Sequence, residues 1–306
     1  MVDVQTVKAN GIDIAYETFG DRQDPPLLLV MGLGTQMIAW PDDLCQGLAD
    51  RGFYVVRYDN RDCGLSTHFD GQRAPSFVDV VLRRQRPPYT IDDMARDGIG
   101  LMDALGLDTV HLVGASMGGF IAQTIAINNP RRVRSLTLIM TSTGNRRVGN
   151  PKPAVFSRLT KRRVVGDRLS AQQAALETFR IIGSKGYAFD EEYMMDLGGR
   201  SYDRAYNPSG YLRQLAAIAA QPDRSEHLRR VRVPALVIHG LHDPLVNPSG
   251  GLAAARLLRN AKFVGYAGMG HDLPRALWPD FEMEIAALAQ RADASRHTGV
   301  ESRTGR

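Results

Sequence analysis

The sequence predicts an α/β protein: a mostly parallel sheet flanked by helices, with further helices inserted between two of its strands. Three observations carry this. Short apolar runs recur at residues 27–31, 54–58, 110–113, 136–140, 235–238 and 262–266, and several are continuous rather than alternating. Strands buried on both faces of a parallel sheet need that pattern. Helical stretches at 42–50, 90–105, 120–128 and 251–259 separate the runs, and strand–helix alternation marks a layered α/β domain. Between 145 and 230 the alternation stops and only helical patterns remain.

Taken in order, residues 6–8 and 12–18 alternate and are joined by Asn10-Gly11, which reads as a hairpin with a tight turn. Thr90 precedes the helix at 90–105, with Asp92 and Asp93 in its first turn. A hydroxyl at the N-cap and early acids both favour a helix start. Within the insertion, helical patterns cover 171–182, 190–197 and 210–220, and aromatic and methionine side chains run from Phe179 to Tyr211. Such side chains either line an apolar pocket or pack the insertion on the sheet. After residue 290 apolar residues become sparse, as in disordered segments. The expected organisation is a core of residues 1–144 and 231–290, a helical cap of 145–230 and a disordered tail of 291–306.

The chain has 306 residues, 43% of them hydrophobic and 23% charged, the composition of one sizeable globular domain with an insertion. No apolar run approaches the length of a membrane span. No basic patch precedes an apolar stretch at the N-terminus, so no secretory signal is expected and a cytoplasmic location is. Cys45 and Cys63 are too few for a disulfide framework and sit in no metal-ligand spacing; no metal or cofactor is expected. The net charge of +5 is carried mostly by scattered Arg, with small clusters at Arg146-Arg147, Lys161-Arg162-Arg163 and Arg229-Arg230. A nucleic-acid binder would gather its cations beside aromatics on one face, so no nucleic-acid partner is expected.

Chemistry enters at residues 110–120, V-H-L-V-G-A-S-M-G-G-F. A lone G-x-S-x-G arises by chance in roughly one of every ten chains of this length, so context decides. Here the motif follows a strand and opens a helix, the setting of a nucleophile elbow. Gly114 and Gly118 leave room for a sharp turn that lifts the Ser116 hydroxyl above the strand ends. A serine hydroxyl needs a base, and the base needs a carboxylate to orient it. Of seven histidines, His271 stands in a glycine-rich loop just after the last strand and is the expected base. His111 lies inside the strand before the motif, where it would point into packing. Asp243 follows the strand at 235–238 and is the expected acid, because Asp272 is badly placed to reach its own neighbour's ring. For the oxyanion, the expected donors are the backbone N–H groups of Met117 and of Leu33, the latter in the M-G-L-G-T-Q loop after the strand at 27–31. The order Ser116, Asp243, His271 is that of an α/β-hydrolase triad.

With these residues in view, the chain resembles the α/β-hydrolase fold superfamily. The segments that carry the resemblance are V-M-G-L-G, R-Y-D-N-R-D-C-G-L-S, G-A-S-M-G-G, P-A-L-V-I-H-G-L-H-D-P and G-M-G-H. They span about residues 10 to 290. Many relatives carry His where this chain has Met31. The segment from L-L-L-V-M-G to R-D-C-G-L-S is similar to bacterial esterases and lipases near aclacinomycin methylesterase, which implies hydrolysis of carboxylic esters without fixing the ester. The implied partner is a small-molecule ester with an apolar acyl or alcohol part. The same triad also serves perhydrolysis, amide cleavage and C–C bond hydrolysis, or a slow-turnover ligand sensor. Dehalogenases and epoxide hydrolases use Asp in place of Ser116 and are disfavoured.

Overall fold

The computed structural model describes residues 3–82, 86–159 and 165–304. Its elements in chain order are β1 (Gln5–Ala9), β2 (Ile12–Phe19), β3 (Pro26–Val30), α1 (Asp42–Ala49), β4 (Tyr54–Tyr58), α2 (Phe77–Leu82), α3 (Ile91–Ala104), β5 (Val110–Ala115), α4 (Met117–Asn128) and β6 (Val133–Ile139). The insertion follows as α5 (Pro153–Leu159), α6 (Arg168–Ile182), α7 (Glu191–Arg204), α8 (Pro208–Ala220) and α9 (Ser225–Leu228). The chain then completes the sheet with β7 (Ala235–Gly240), α10 (Ser249–Leu257), β8 (Ala261–Tyr266) and α11 (Trp278–Thr304). The eight strands lie in the order β1-β2-β4-β3-β5-β6-β7-β8. β2 runs antiparallel to β1 and β4, and every other pairing is parallel.

The continuous apolar runs are explained by the two layers of helices. Leu28, Val30, Val56, Leu112 and Leu136 face one side of the sheet and meet Met94 and Leu101 of α3 and Ile121 and Ile125 of α4. Leu27, Leu29, Val55, Val113 and Ile238 face the other side and meet Leu44 and Leu48 of α1 and Phe281 and Ile285 of α11. Residues of the central strands are therefore mostly apolar whichever way they point. The hairpin turn has Asn10 at φ 48° and Gly11 at φ 79°, the two left-handed positions a tight two-residue turn demands. Thr90 and Asp93 form a reciprocal capping box at the start of α3.

A disordered tail was expected from residue 291. α11 continues through the stretch beginning at residue 291, Ala292 is buried, and Asp293 lies 3.4 Å from the His111 ring. The low apolar content after residue 290 hid one buried face of a helix that begins at Trp278. The short helices α2 and α5 also carried too little periodicity to be read. The Lys161-Arg162-Arg163 cluster lies outside the described residues. Among the described residues no helix is long and apolar enough to cross a membrane.

The loop after β4, R-Y-D-N-R-D, joins core and insertion through buried charge. Asp62 receives two hydrogen bonds from Arg213 of α8, both 2.8 Å, and the pair is almost wholly buried. Asp59 pairs with Arg204 of α7 at 2.7 Å, and Arg61 pairs with Asp97 of α3. Burial pushes the Asp62 carboxyl up, but the hydrogen bonds from Arg213 and the Phe69 N–H outweigh it and hold the carboxyl below its ordinary 3.8. Removing one partner of such a pair strands a buried charge. Arg213→Ala is expected to lower unfolding stability by about 3–5 kcal/mol in urea at neutral pH. Because the folded-state carboxyl titrates below its ordinary value, the pair's contribution is intact above that value and is lost as pH falls below it through the depressed folded-state pKa. The gap between wild type and variant should therefore narrow in acid.

Candidate active site

Ser116 sits between β5 and α4 with φ 54° and ψ −118°, a backbone region that side-chain-bearing residues rarely occupy and that active sites retain. The surroundings hold it there. Its N–H donates to Ile139 O at 2.9 Å, and its carbonyl accepts the Gly119 N–H at 2.9 Å and the Thr141 hydroxyl at 2.8 Å. Helix α4 starts almost in contact with β3: a Cβ on Gly118 would overlap the Val30 carbonyl, and one on Gly114 would overlap the Gly118 carbonyl. These glycines provide the clearance read from the motif.

Three side chains from the C-terminal ends of three strands converge. The Ser116 Oγ lies 3.1 Å from His271 Nε2, and His271 Nδ1 lies 2.7 Å from Asp243 Oδ2. Asp243 is 1% exposed, and its Oδ1 accepts the N–H groups of Leu245 and Val246, each at 2.8 Å. A carboxylate with both oxygens occupied cannot rotate, so Oδ2 stays aimed at the imidazole. The carboxylate accepts a hydrogen bond from the Nδ1–H, which leaves Nε2 as an acceptor for the Ser116 hydroxyl. Ser116 itself is half-buried and His271 is buried.

Of the two expected oxyanion donors, Met117 follows Ser116 in the chain, and Gly32, just before Leu33, lies against Ser116: a Cβ on Gly32 would meet the Ser116 Cβ at 3.2 Å. The loop after β3 makes a turn in which the Thr35 N–H donates to Gly32 O at 3.4 Å and Gly34 takes φ 62°. The Gly34 N–H is taken by the Gln214 side chain at 2.7 Å. No hydrogen bond among the described residues uses the N–H of Leu33 or Met117. Met31 cannot hold this loop through a polar side chain and packs in the core instead, while Asn60 Nδ2 donates to its carbonyl at 2.9 Å.

The remaining polar groups sort as follows. His111 packs in β5, with Nδ1 2.9 Å from the Ser135 hydroxyl. His239 is wholly buried with Nε2 2.8 Å from Val246 O, and burial lowers its pKa, so its ring is neutral. His242 Nδ1 accepts the Gly268 N–H at 2.9 Å. Asp272 turns its carboxylate to Ser184 rather than to His271. Among the described residues no group of three or more His, Cys, Asp or Glu is placed to hold a metal ion. Sequence reasoning missed Gln214, Ser184 and Asn60. Each is a polar residue whose partner lies on another element, and no short-range pattern marks such residues.

A family model described as the alpha/beta hydrolase fold matches residues 25–274. The chain is similar to the rhodomycin D methylesterase of Streptomyces sp. strain C5, 27% identical over 298 residues, covering 90% of this chain and 94% of that protein. It is likewise similar to 3-oxoadipate enol-lactonase 2 of Acinetobacter baylyi, 27% identical over 246 residues, covering 80% of this chain and 82% of that one. Among solved structures, the enol-lactonase from Burkholderia xenovorans LB400 superposes with a TM-score of 0.72 at 24% identity, covering 94% of this chain and all of the other. That likeness is one of fold. With the family model spanning both sheet halves and the intervening helices, the chain belongs to the α/β-hydrolase fold family.

Proposed function

We propose that the protein hydrolyses carboxylic esters through a covalent acyl-enzyme on Ser116. The observation that carries this reading is the connected line from Ser116 Oγ to His271 Nε2, 3.1 Å, and from His271 Nδ1 to Asp243 Oδ2, 2.7 Å. The methylesterase and enol-lactonase relatives support an ester or lactone carbonyl as the target.

In this mechanism His271 Nε2 takes the Ser116 proton as Oγ attacks the ester carbonyl. Asp243 holds the ring and balances the imidazolium. The oxyanion lies against the Leu33 and Met117 N–H groups, where preorganised donors stabilise developing charge most strongly. Nε2–H then protonates the departing alkoxide. Water, deprotonated by the same nitrogen, attacks the acyl-enzyme and restores Ser116. The helical insertion serves as a cap over this chemistry. Tyr211 and Gln214 of α8 both press on Gly34 of the oxyanion loop, so the cap contributes to the site's walls as well as its roof. The substrate is a small-molecule ester with an apolar acyl or alcohol part.

Four measurements test the reading. Ser116→Ala lowers kcat on p-nitrophenyl butyrate by about 10⁶-fold, and a variant with activity near wild type would overturn the reading. An alkyl phosphonate adds its mass to wild type at Ser116 alone and leaves Ser116→Ala unmodified. Asp243→Asn keeps the fold but lowers kcat by about 10⁴-fold; circular dichroism beside steady-state rates checks both halves. A p-nitrophenyl acyl series from C2 to C12 reports the acyl preference and separates a turning-over esterase from a slow sensor.

A further inference from the structure

The loop that carries His271 has no regular secondary structure, so its geometry comes from what lies on either side. On one side it meets the loop that carries Asp243. The His242 N–H donates to Met269 O at 3.0 Å, and the Gly268 N–H donates to His242 Nδ1 at 2.9 Å. On the other side it meets residues 182–186 of the insertion, which join α6 to α7. The His271 N–H donates to Ile182 O at 2.8 Å, and the N–H groups of Lys185 and Gly186 both donate to Gly268 O, at 3.1 and 3.0 Å. The backbones touch: a Cβ on Gly270 would meet the Ile182 carbonyl oxygen at 2.5 Å.

Ser184 lies at the centre of this seam and is 5% exposed. Its hydroxyl accepts the Gly270 N–H at 2.9 Å and donates to Asp272 Oδ1 at 2.5 Å, while its own N–H donates to the same oxygen at 3.0 Å. One hydroxyl thus holds the residue before His271 and the residue after it. Asp272 is 7% exposed. Burial raises its carboxyl above the ordinary 3.8 against the pull of the hydrogen bonds from Ser184.

We infer that Ser184 and Asp272 are positioning residues for the base: a latch by which the insertion fixes His271 against both Ser116 and Asp243. This rests on the triad reading above. The imidazole must keep two hydrogen bonds through each proton transfer, and a loop of this kind has few internal restraints. A misplacement of about 1 Å at a reacting group costs about 10²-fold. The latch therefore acts on kcat, while groups that bind the ester keep KM.

The test compares Ser184→Ala, Asp272→Ala, Asp272→Asn and His271→Ala in the full chain on p-nitrophenyl butyrate, well below each unfolding midpoint. Expected for Ser184→Ala and Asp272→Ala is a fall in kcat of about 10- to 100-fold with KM within about twofold, and a matching slowing of phosphonate modification of Ser116. Asp272→Asn, which keeps an acceptor oxygen toward Ser184, should recover kcat above Asp272→Ala. A low-field imidazole N–H proton resonance, absent from His271→Ala, should broaden or shift in Ser184→Ala. If His271→Ala is inactive while Ser184→Ala and Asp272→Ala keep kcat within about twofold, the latch is overturned and the triad stands. If His271→Ala keeps full activity, the triad reading fails and the latch with it. Should Ser184→Ala not fold, the Asp272 pair decides the question by the same criteria.

Discussion

The tightest constraint in this molecule is the turn at Ser116, where the chain passes from β5 into α4 with a positive φ. L-residues resist that conformation at a cost of order 1–3 kcal/mol, so the fold must supply it from elsewhere. It does so by packing α4 directly on β3 and β5, with Gly114 and Gly118 allowing backbone to touch backbone. Ile121 and Ile125 then anchor the helix in one apolar layer, while Val113 and Ala115 anchor the strand in the other. Every other proposed site residue is placed relative to Ser116.

The second organising feature is the number of polar groups buried around that turn. Asp59, Asn60, Arg61 and Asp62 are all buried on a loop, which an isolated loop could not tolerate. Each is satisfied by a different neighbour: Arg204 and Arg213 from the insertion, Asp97 from α3, and the Met31 carbonyl of the loop after β3. The loop after β4 is consequently a junction between three parts of the chain. Gln214 adds to it by accepting the Gly34 N–H and donating to Arg61 O, at 2.7 Å each. The insertion is therefore tied to the core by bonds that also shape the proposed oxyanion loop.

The seam at residues 182–186 completes this arrangement on the side of the base. Together the two attachments mean that the helices between β6 and β7 touch both the loop of the proposed oxyanion donors and the loop of the proposed base. In many layered proteins an insertion can vary independently of the sheet, because its contacts are apolar and forgiving. Here directional hydrogen bonds to backbone and buried carboxylates accompany the apolar contacts, so changes in α6, α7 or α8 reach the proposed chemistry through geometry.

The strands and the main helices were legible in the sequence because their causes are local. A parallel strand needs a continuous apolar run, Asn10-Gly11 suits a tight turn, and Thr90 with Asp93 caps a helix within one turn. The convergence of Ser116, Asp243 and His271 was legible too, because loops at the C-terminal ends of parallel strands in one sheet open on the same edge. What the tertiary structure alone decided is which distant polar groups meet. Ser184 finds Asp272 88 residues away, Gln214 finds Gly34 across 180 residues, and Arg213 finds Asp62 across 151. The burial of Ala292 on α11 belongs to the same class, since it exists only against the finished sheet. Backbone preferences are set by a few neighbouring residues, whereas a buried polar group takes whichever partner the strand order brings beside it, and that order is a property of the whole chain.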